Sequence, residues 1–199
     1  TRAFIAEFAA RGGDEYEATV RDFASSENPD IAWRARRALA ARGLVDADAI
    51  EAWRSADGSG EAARMSVEAL ASLPLEDARS RAWESVYSES LSNDFLTATL
   101  AGLNASSWEG DSGLDSAVDR LRPYWEAHTI GMALRYANGV LAYGLDIDRE
   151  GSVERSVGLL RGWLDAHGDA PAQLRRIVLE HLDAFERDER VQRRWGSGQ

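Results

Sequence analysis

Apolar residues recur along the chain at the three- and four-residue spacing of a helix face, and no segment shows the two-residue alternation of a half-buried strand. Phe4, Ile5, Phe8 and Ala9 share one face of a first helix, which Gly12-Gly13 ends. Tyr16, Val20 and Phe23 carry a second, closed by the polar run Ser25–Asp30. Ile31, Ala35, Ala38, Leu39 and Arg42 define a third, stopped by Gly43. A short fourth carries Ala49, Ile50 and Trp53, with Asp46 as its N-cap. Residues 55–60 read as a loop, the next helix runs to Leu73, and Pro74 marks the break. Further helices are predicted around Ala78–Tyr87 and Phe95–Leu103, then a polar loop over 104–113. Leu114–Glu126, Ile130–Tyr143 and Val153–His167 follow. Pro171 opens a last helix, in whose first turn its missing N–H is harmless; Leu174, Ile177, Val178, Leu182 and Phe185 form its apolar stripe.

The pattern repeats itself weakly. Residues 38–53, ALAARGLVDADAIEAW, echo residues 69–83, ALASLPLEDARSRAW, and the Leu-Ala step returns in TLAGL (99–103) and VLAYGL (140–145). Self-similarity at about one helix pair predicts an all-α fold of stacked antiparallel helix pairs, a HEAT-like or armadillo-like solenoid forming a single domain over 1–199. Chance similarity in an Ala-rich, Leu-rich helical chain produces the same echo. In the solenoid reading Trp53 and Trp83 fill equivalent buried positions in successive layers. The chain opens on Thr1 and reads as a C-terminal piece of a longer protein. A neighbour lost there would leave part of the Phe4, Ile5 and Phe8 face uncovered.

Composition narrows the function classes. A net charge of -11, with all 23 basic residues arginine, argues against nucleic acid or anionic lipid as partner but not against a cationic peptide. The sequence holds no cysteine, which excludes disulfides and thiolate zinc sites and fits a reducing compartment, the cytoplasm. No apolar run reaches the roughly 18–20 residues of a membrane span.

Candidate chemistry is sparse. Gly110-Asp111-Ser112-Gly113 matches the nucleophile tetrapeptide of trypsin-like peptidases, where the partner His and Asp precede the Ser. Here His128, His167 and His181 all follow it, and Ser112 reads as a helix cap with Asp115 three residues on. No two histidines stand four apart, so no zinc-peptidase helix is present. His181 sits among apolar positions as a packed core residue, His128 at a helix junction, and His167 at a helix C-terminus. Asp57–Glu61 looks like half a calcium loop but lacks the remaining ligands and reads as a turn. Trp33, Trp53, Trp83, Trp125 and Trp163 fall inside helical patterns as core residues, whereas Trp108 lies in a polar loop as a docking residue or a cover for the helices. No catalytic and no metal-binding residue is assigned, and the sequence names no substrate-binding residue.

Residues 33–53, 81–103 and 121–145 together carry an Arg-Gly-Leu helix end, an Ala-Trp pair, an Asn-Asp helix start and an Arg-Pro-Tyr before an aromatic-rich helix pair. In these the chain resembles the C-terminal domain of bacterial aminopeptidase N, a gluzincin zinc aminopeptidase. The family's proline after the Gly-Leu near 145 is missing, and the loop over 104–113 and the connection over 123–130 differ from it in length. The resemblance implies a HEAT-like bowl that encloses a peptide chamber. It places the zinc and the cutting residues in an upstream catalytic domain, so this chain would hold peptide substrate without a cofactor of its own. The alternative is a stand-alone helical-repeat scaffold that binds another protein. An independent hydrolase built on Ser112 is the weakest reading.

Overall fold

The computed structural model describes residues 1–11, 13–88, 91–106, 109–110, 113–142 and 152–195; Trp108 and Ser112 lie outside them. All regular structure among the described residues is helical, so the fold is all-α. The contacts divide the chain into two compact units, Thr1–Ser112 and Gly113–Gln199.

The first unit holds α1 (Arg2–Arg11), a single 3-10 turn at Asp14–Tyr16, α2 (Glu17–Ala24), α3 (Pro29–Ala41), α4 (Ala47–Asp57), α5 (Gly60–Ala71), α6 (Glu76–Val86) and α7 (Asn93–Ala105). Side-chain caps set most of the starts. Asn28 accepts from the Asp30 and Ile31 amides, Asp46 from Ala49, Ser59 from Ala62, and Ser92 from Phe95. Gly58 ends α4 in the left-handed conformation. Helix α4 therefore runs three residues into the stretch read as a loop, and the turn before α5 is short.

Helices α1, α3, α5 and α7 contact one another in sequence, each against the next. Helix α2 lies against α3, α4 against α5, and α6 against both α5 and α7. The α5–α7 contact is built from small residues. Ser66, Ala69, Ala98, Thr99 and Gly102 are buried. The Ser66 and Thr99 hydroxyls donate back to the carbonyls of Ala63 and Phe95, so burying them leaves no unpaired donor. A Cβ on Gly102 would stand 2.2 Å from the Glu68 carbonyl oxygen and 2.7 Å from the Ala71 side chain.

Two apolar clusters fill this unit. Ile5 and Phe8 of α1 pack with Val20, Ala24, Ala35, Ala38 and Leu39, and half-buried Phe4 sets its ring edge-on to Tyr16 and Phe23. The first helix is therefore covered, against the expectation of a partly open face. The second cluster joins Trp33, Ala40, Ile50, Met65, Ala69 and Leu73. The internal echo corresponds to two helix–turn–helix steps, α3 to α4 and α5 to α6, whose turns abut: a Cβ on Gly43 would lie 3.1 Å from Pro74. The tryptophans do not follow the expected pattern. Trp33 is 1% exposed, whereas Trp53 and Trp83 are only half-buried. The reason is placement: α4 and α6 flank the α3–α5–α7 row instead of lying within it.

The second unit holds α8 (Leu114–Asp119), α9 (Leu121–Ala127), α10 (Ile130–Ala142), α11 (Ser152–Ala166) and α12 (Ala172–Trp195). The helix expected over 114–126 breaks at Arg120, because Pro123 has no N–H to offer the carbonyl four residues back. Helix α12 packs on α10 and α11 through Leu174, Ile177, Val178, Leu182 and Phe185, the stripe read from the sequence. Trp163 is buried as expected; Trp125 is half-buried. No helix among the described residues is long and apolar enough to cross a membrane.

Two stability predictions follow from this packing. Alanine normally stabilises a helix over glycine by roughly 0.5–1 kcal/mol. Gly158→Ala and Gly162→Ala in α11, where nothing lies within 4 Å of the added carbon, should show that gain in denaturant titration. Gly102→Ala should instead lose about 1–3 kcal/mol, because the methyl meets backbone that cannot yield without parting α5 from α7. Trp33→Ala should cost roughly 3–5 kcal/mol, and Trp53→Ala and Trp83→Ala clearly less. Equal losses at all three tryptophans would contradict the assignment of α3 to the core row.

Candidate functional site

A cleft of about 660 Å³ opens on the first unit between α3 and α5. Helix α3 supplies Asp30, Trp33, Arg34 and Arg37 to it at helical spacing, and α5 supplies Glu61, Arg64, Met65 and Glu68. The α4–α5 turn adds Asp57 and Ser59. Trp33 and Met65 are its apolar part, and charged groups of both signs line the rest.

The charges are paired across and along the cleft. Arg37 reaches from α3 to Glu68 on α5 at 2.5 Å, and Glu68 is 7% exposed. Arg64 pairs with Glu61 at 2.5 Å and stands 3.8 Å from Glu68, so one buried carboxylate faces two guanidiniums. A half-shielded pair of this kind fixes geometry more than it adds stability, since both ions gave up water to form it. The Nε of Arg37 is buried and has no hydrogen-bond partner. Asp30 accepts from Arg34 at 3.0 Å and also pairs with Arg2 at 2.5 Å. The Arg34 guanidinium, with Arg2 behind it, holds the Asp30 carboxyl below its ordinary value.

Asp57 differs from the other three carboxylates. It receives the Trp33 indole N–H at 3.2 Å and the Ser59 amide at 3.4 Å, both neutral donors. Hydrogen bonds from Ser59 and Trp33 keep its carboxyl below the usual range, so it is ionised at neutral pH. No arginine stands within ion-pair distance of Asp57 among the described residues, but the charge of Arg36 adds to the lowering. Arg36, one residue before Arg37, does not line the cleft, though its charge acts on Asp57. Its guanidinium lies 4.9 Å from the Trp33 ring centre and 5.1 Å from that of Trp53, and its Nε donates to the Ala24 carbonyl. It clamps the back of Trp33, and its burial lowers its pKa.

Of the described residues singled out from the sequence, Trp33 and the Asp57–Glu61 turn line the cleft, and the histidines lie elsewhere. Asp57–Glu61 is the expected turn, joining α4 to α5, and it forms one wall of the cleft. His128 caps the end of α9, stacked on Tyr124 at 3.8 Å with its Nδ1 3.1 Å from the Tyr124 carbonyl. His167 sits just past α11 in the same way, stacked on Trp163 and 2.9 Å from its carbonyl. His181 is half-buried rather than core, with Nε2 3.4 Å from the Asn138 side-chain oxygen, and burial pushes its pKa down. Gly113 occupies the N-cap of α8 in the left-handed conformation, and Asp115 pairs with Arg155 at 3.0 Å. Among the described residues no three His, Asp or Glu side chains converge as a metal site requires.

The cleft itself was not singled out in the sequence. Its walls come from two separate segments, 28–37 and 57–68, so spacing along either one does not reveal it. The available signal was Glu68, a carboxylate set among Met65, Ala69 and Ser72 on the buried side of α5.

Comparison of the chain with protein-family models gives no match, and comparison with curated proteins gives no significant one.

Proposed function

We propose that the chain is the non-catalytic C-terminal helical domain of a zinc-dependent aminopeptidase N. It would hold the peptide substrate while a catalytic domain elsewhere in the same polypeptide releases N-terminal residues. The observation that carries this reading is the cleft between α3 and α5, concave and lined by paired charges around Trp33 and Met65. Its size lies in the usual range of ligand sites. The side-by-side sequence α1, α3, α5, α7, with α4 and α6 flanking it, supports an array of stacked helix pairs. The residues of 33–53, 81–103 and 121–145 support the family assignment. In this reading zinc belongs to the catalytic domain, the partners are that domain and peptides, and the compartment is the cytoplasm. The same cleft also suits a stand-alone scaffold that binds a protein segment, and one experiment separates the two.

The complete polypeptide encoded by the gene is expressed alongside a version lacking residues 1–199, and zinc content and hydrolysis are measured. The aminopeptidase reading expects zinc in both versions and none in residues 1–199 alone. Removing 1–199 should slow cleavage of decapeptides by about tenfold or more while aminoacyl anilides are affected less, because remote binding energy is lost only for the long substrate. A complete polypeptide without zinc or aminopeptidase activity would leave the scaffold reading in its place.

A further inference from the structure

The α3–α4 and α5–α6 turns, which abut at Gly43 and Pro74, enclose a second concavity beyond the C-terminal ends of α3 and α5. It is a groove of about 370 Å³ walled by Leu44, Val45, Leu73, Pro74 and Leu75, together with Asp46. Helix α3 has 13 residues, so at about 1.5 Å per residue the groove stands roughly 20 Å from the mouth of the α3–α5 cleft. Leu75 breaks a local rule there. It holds the N-cap of α6, the place Asp46 holds at α4, and its side chain caps no amide. That side chain is also 53% exposed. Serine or aspartate would serve the helix better and expose no apolar surface. Departures from local consistency of this kind concentrate at functional sites.

The surroundings are acidic. Asp46 and Asp48 open α4, and Glu76 and Asp77 follow Leu75 in the first turn of α6. None of the four is in an ion pair among the described residues. Arg21 reaches the Leu44 carbonyl at 3.0 Å but pairs with Glu17 at 2.7 Å, Arg42 is the C-cap of α3, and Arg79 is buried in α6. Neither α3 nor α5 carries a basic residue in its last turn, where the negative end of a helix favours one. First-turn carboxylates complement the starts of α4 and α6; set around an exposed leucine, they also give the groove an acidic rim.

We propose that this groove docks a basic segment of a partner protein. An apolar side chain of the segment packs against Leu75, Val45 and Pro74, and a lysine or arginine on either side of it meets the carboxylates of Asp46, Asp48, Glu76 and Asp77. The same four carboxylates repel an acidic segment, and the net charge of -11 favours the approach of a basic one. The groove shares no lining residue with the α3–α5 cleft, so its role stands or falls apart from the aminopeptidase reading.

The test uses the intact chain and the methyl resonances of Val45 and Leu75, the latter assigned by comparison with Leu75→Ser. The probes are acetyl-Lys-Leu-Leu-Lys-amide and its Glu-Leu-Leu-Glu and Lys-Ser-Ser-Lys counterparts. The basic apolar peptide should shift both residues' signals saturably, and raising the salt should weaken its binding on unmodified protein. Leu75→Ser should weaken that binding by about tenfold, through lost apolar contact. The same change should raise the thermal midpoint, because serine can cap α6, so the lost binding is not lost folding. Equal binding of the acidic peptide, or binding that salt leaves unchanged, overturns the charge selection and the docking site with it. Equal binding of the serine peptide, undiminished binding to Leu75→Ser, or no methyl shift with any probe overturns the site as well. A midpoint lowered by Leu75→Ser would show that Leu75 serves the fold, and would overturn it too.

Discussion

At Gly102 the backbones of α5 and α7 approach so closely that the carbonyl oxygen of Glu68 occupies the space where a side chain would begin. That contact fixes more than a helix pair. The Glu68 carbonyl faces α7, while its carboxylate, on the same residue, faces the cleft and holds Arg37 of α3. Helix α5 is thereby gripped on both sides, by close packing toward α7 and by a shielded ion pair toward α3. The buried end of the cleft inherits its position from this arrangement. A larger residue at 102 would move the carboxylate that orders Arg37 and Arg64. Non-directional apolar burial drives the helices together. The close backbone approach and the ion pair then select one register among the many that apolar faces alone allow.

Polarity within the cleft follows from helix direction. Helices α3 and α5 both contribute their first turns to its mouth, with Asp30 and Glu61 there, where carboxylates complement the positive end of a helix. Arg37 and Glu68 stand two turns further along, and Trp33 and Met65 between. The acidic mouth is thus partly a consequence of how helices are started. Asp57 is the exception: it ends α4, opposite the end at which carboxylates are usually favourable, and is held there by the Trp33 indole and the Ser59 amide. The charge of Arg36, which lies over the Trp33 ring, also favours the ionised carboxyl at that end of the helix.

Much of the fold was legible in the sequence, because helical periodicity and local caps act within a few residues of one another. The Asp46 cap, the Gly43 stop and the α12 stripe appear where the pattern placed them. The break at Arg120 was missed because apolar periodicity continues across it, and only the missing N–H of Pro123 interrupts the hydrogen bonding. Trp53 and Trp83 were placed in the core because an apolar position on a helix does not state whether that helix lies inside a row or beside it. That choice belongs to tertiary packing. The cleft was illegible for the same reason: the Trp33–Asp57 and Arg37–Glu68 contacts join residues 24 and 31 positions apart.

The central claim is that the backbones of α5 and α7 approach closely at Gly102 and so fix Glu68 between α7 and the cleft. It is tested most directly by a carbon-edited NOE spectrum with the Ala71 methyl and Gly102 α-protons assigned. The account predicts a strong cross-peak between them, together with slow exchange of the Gly102 amide. Absence of that cross-peak, with a Gly102 amide exchanging as fast as one on an exposed helix face, would contradict it.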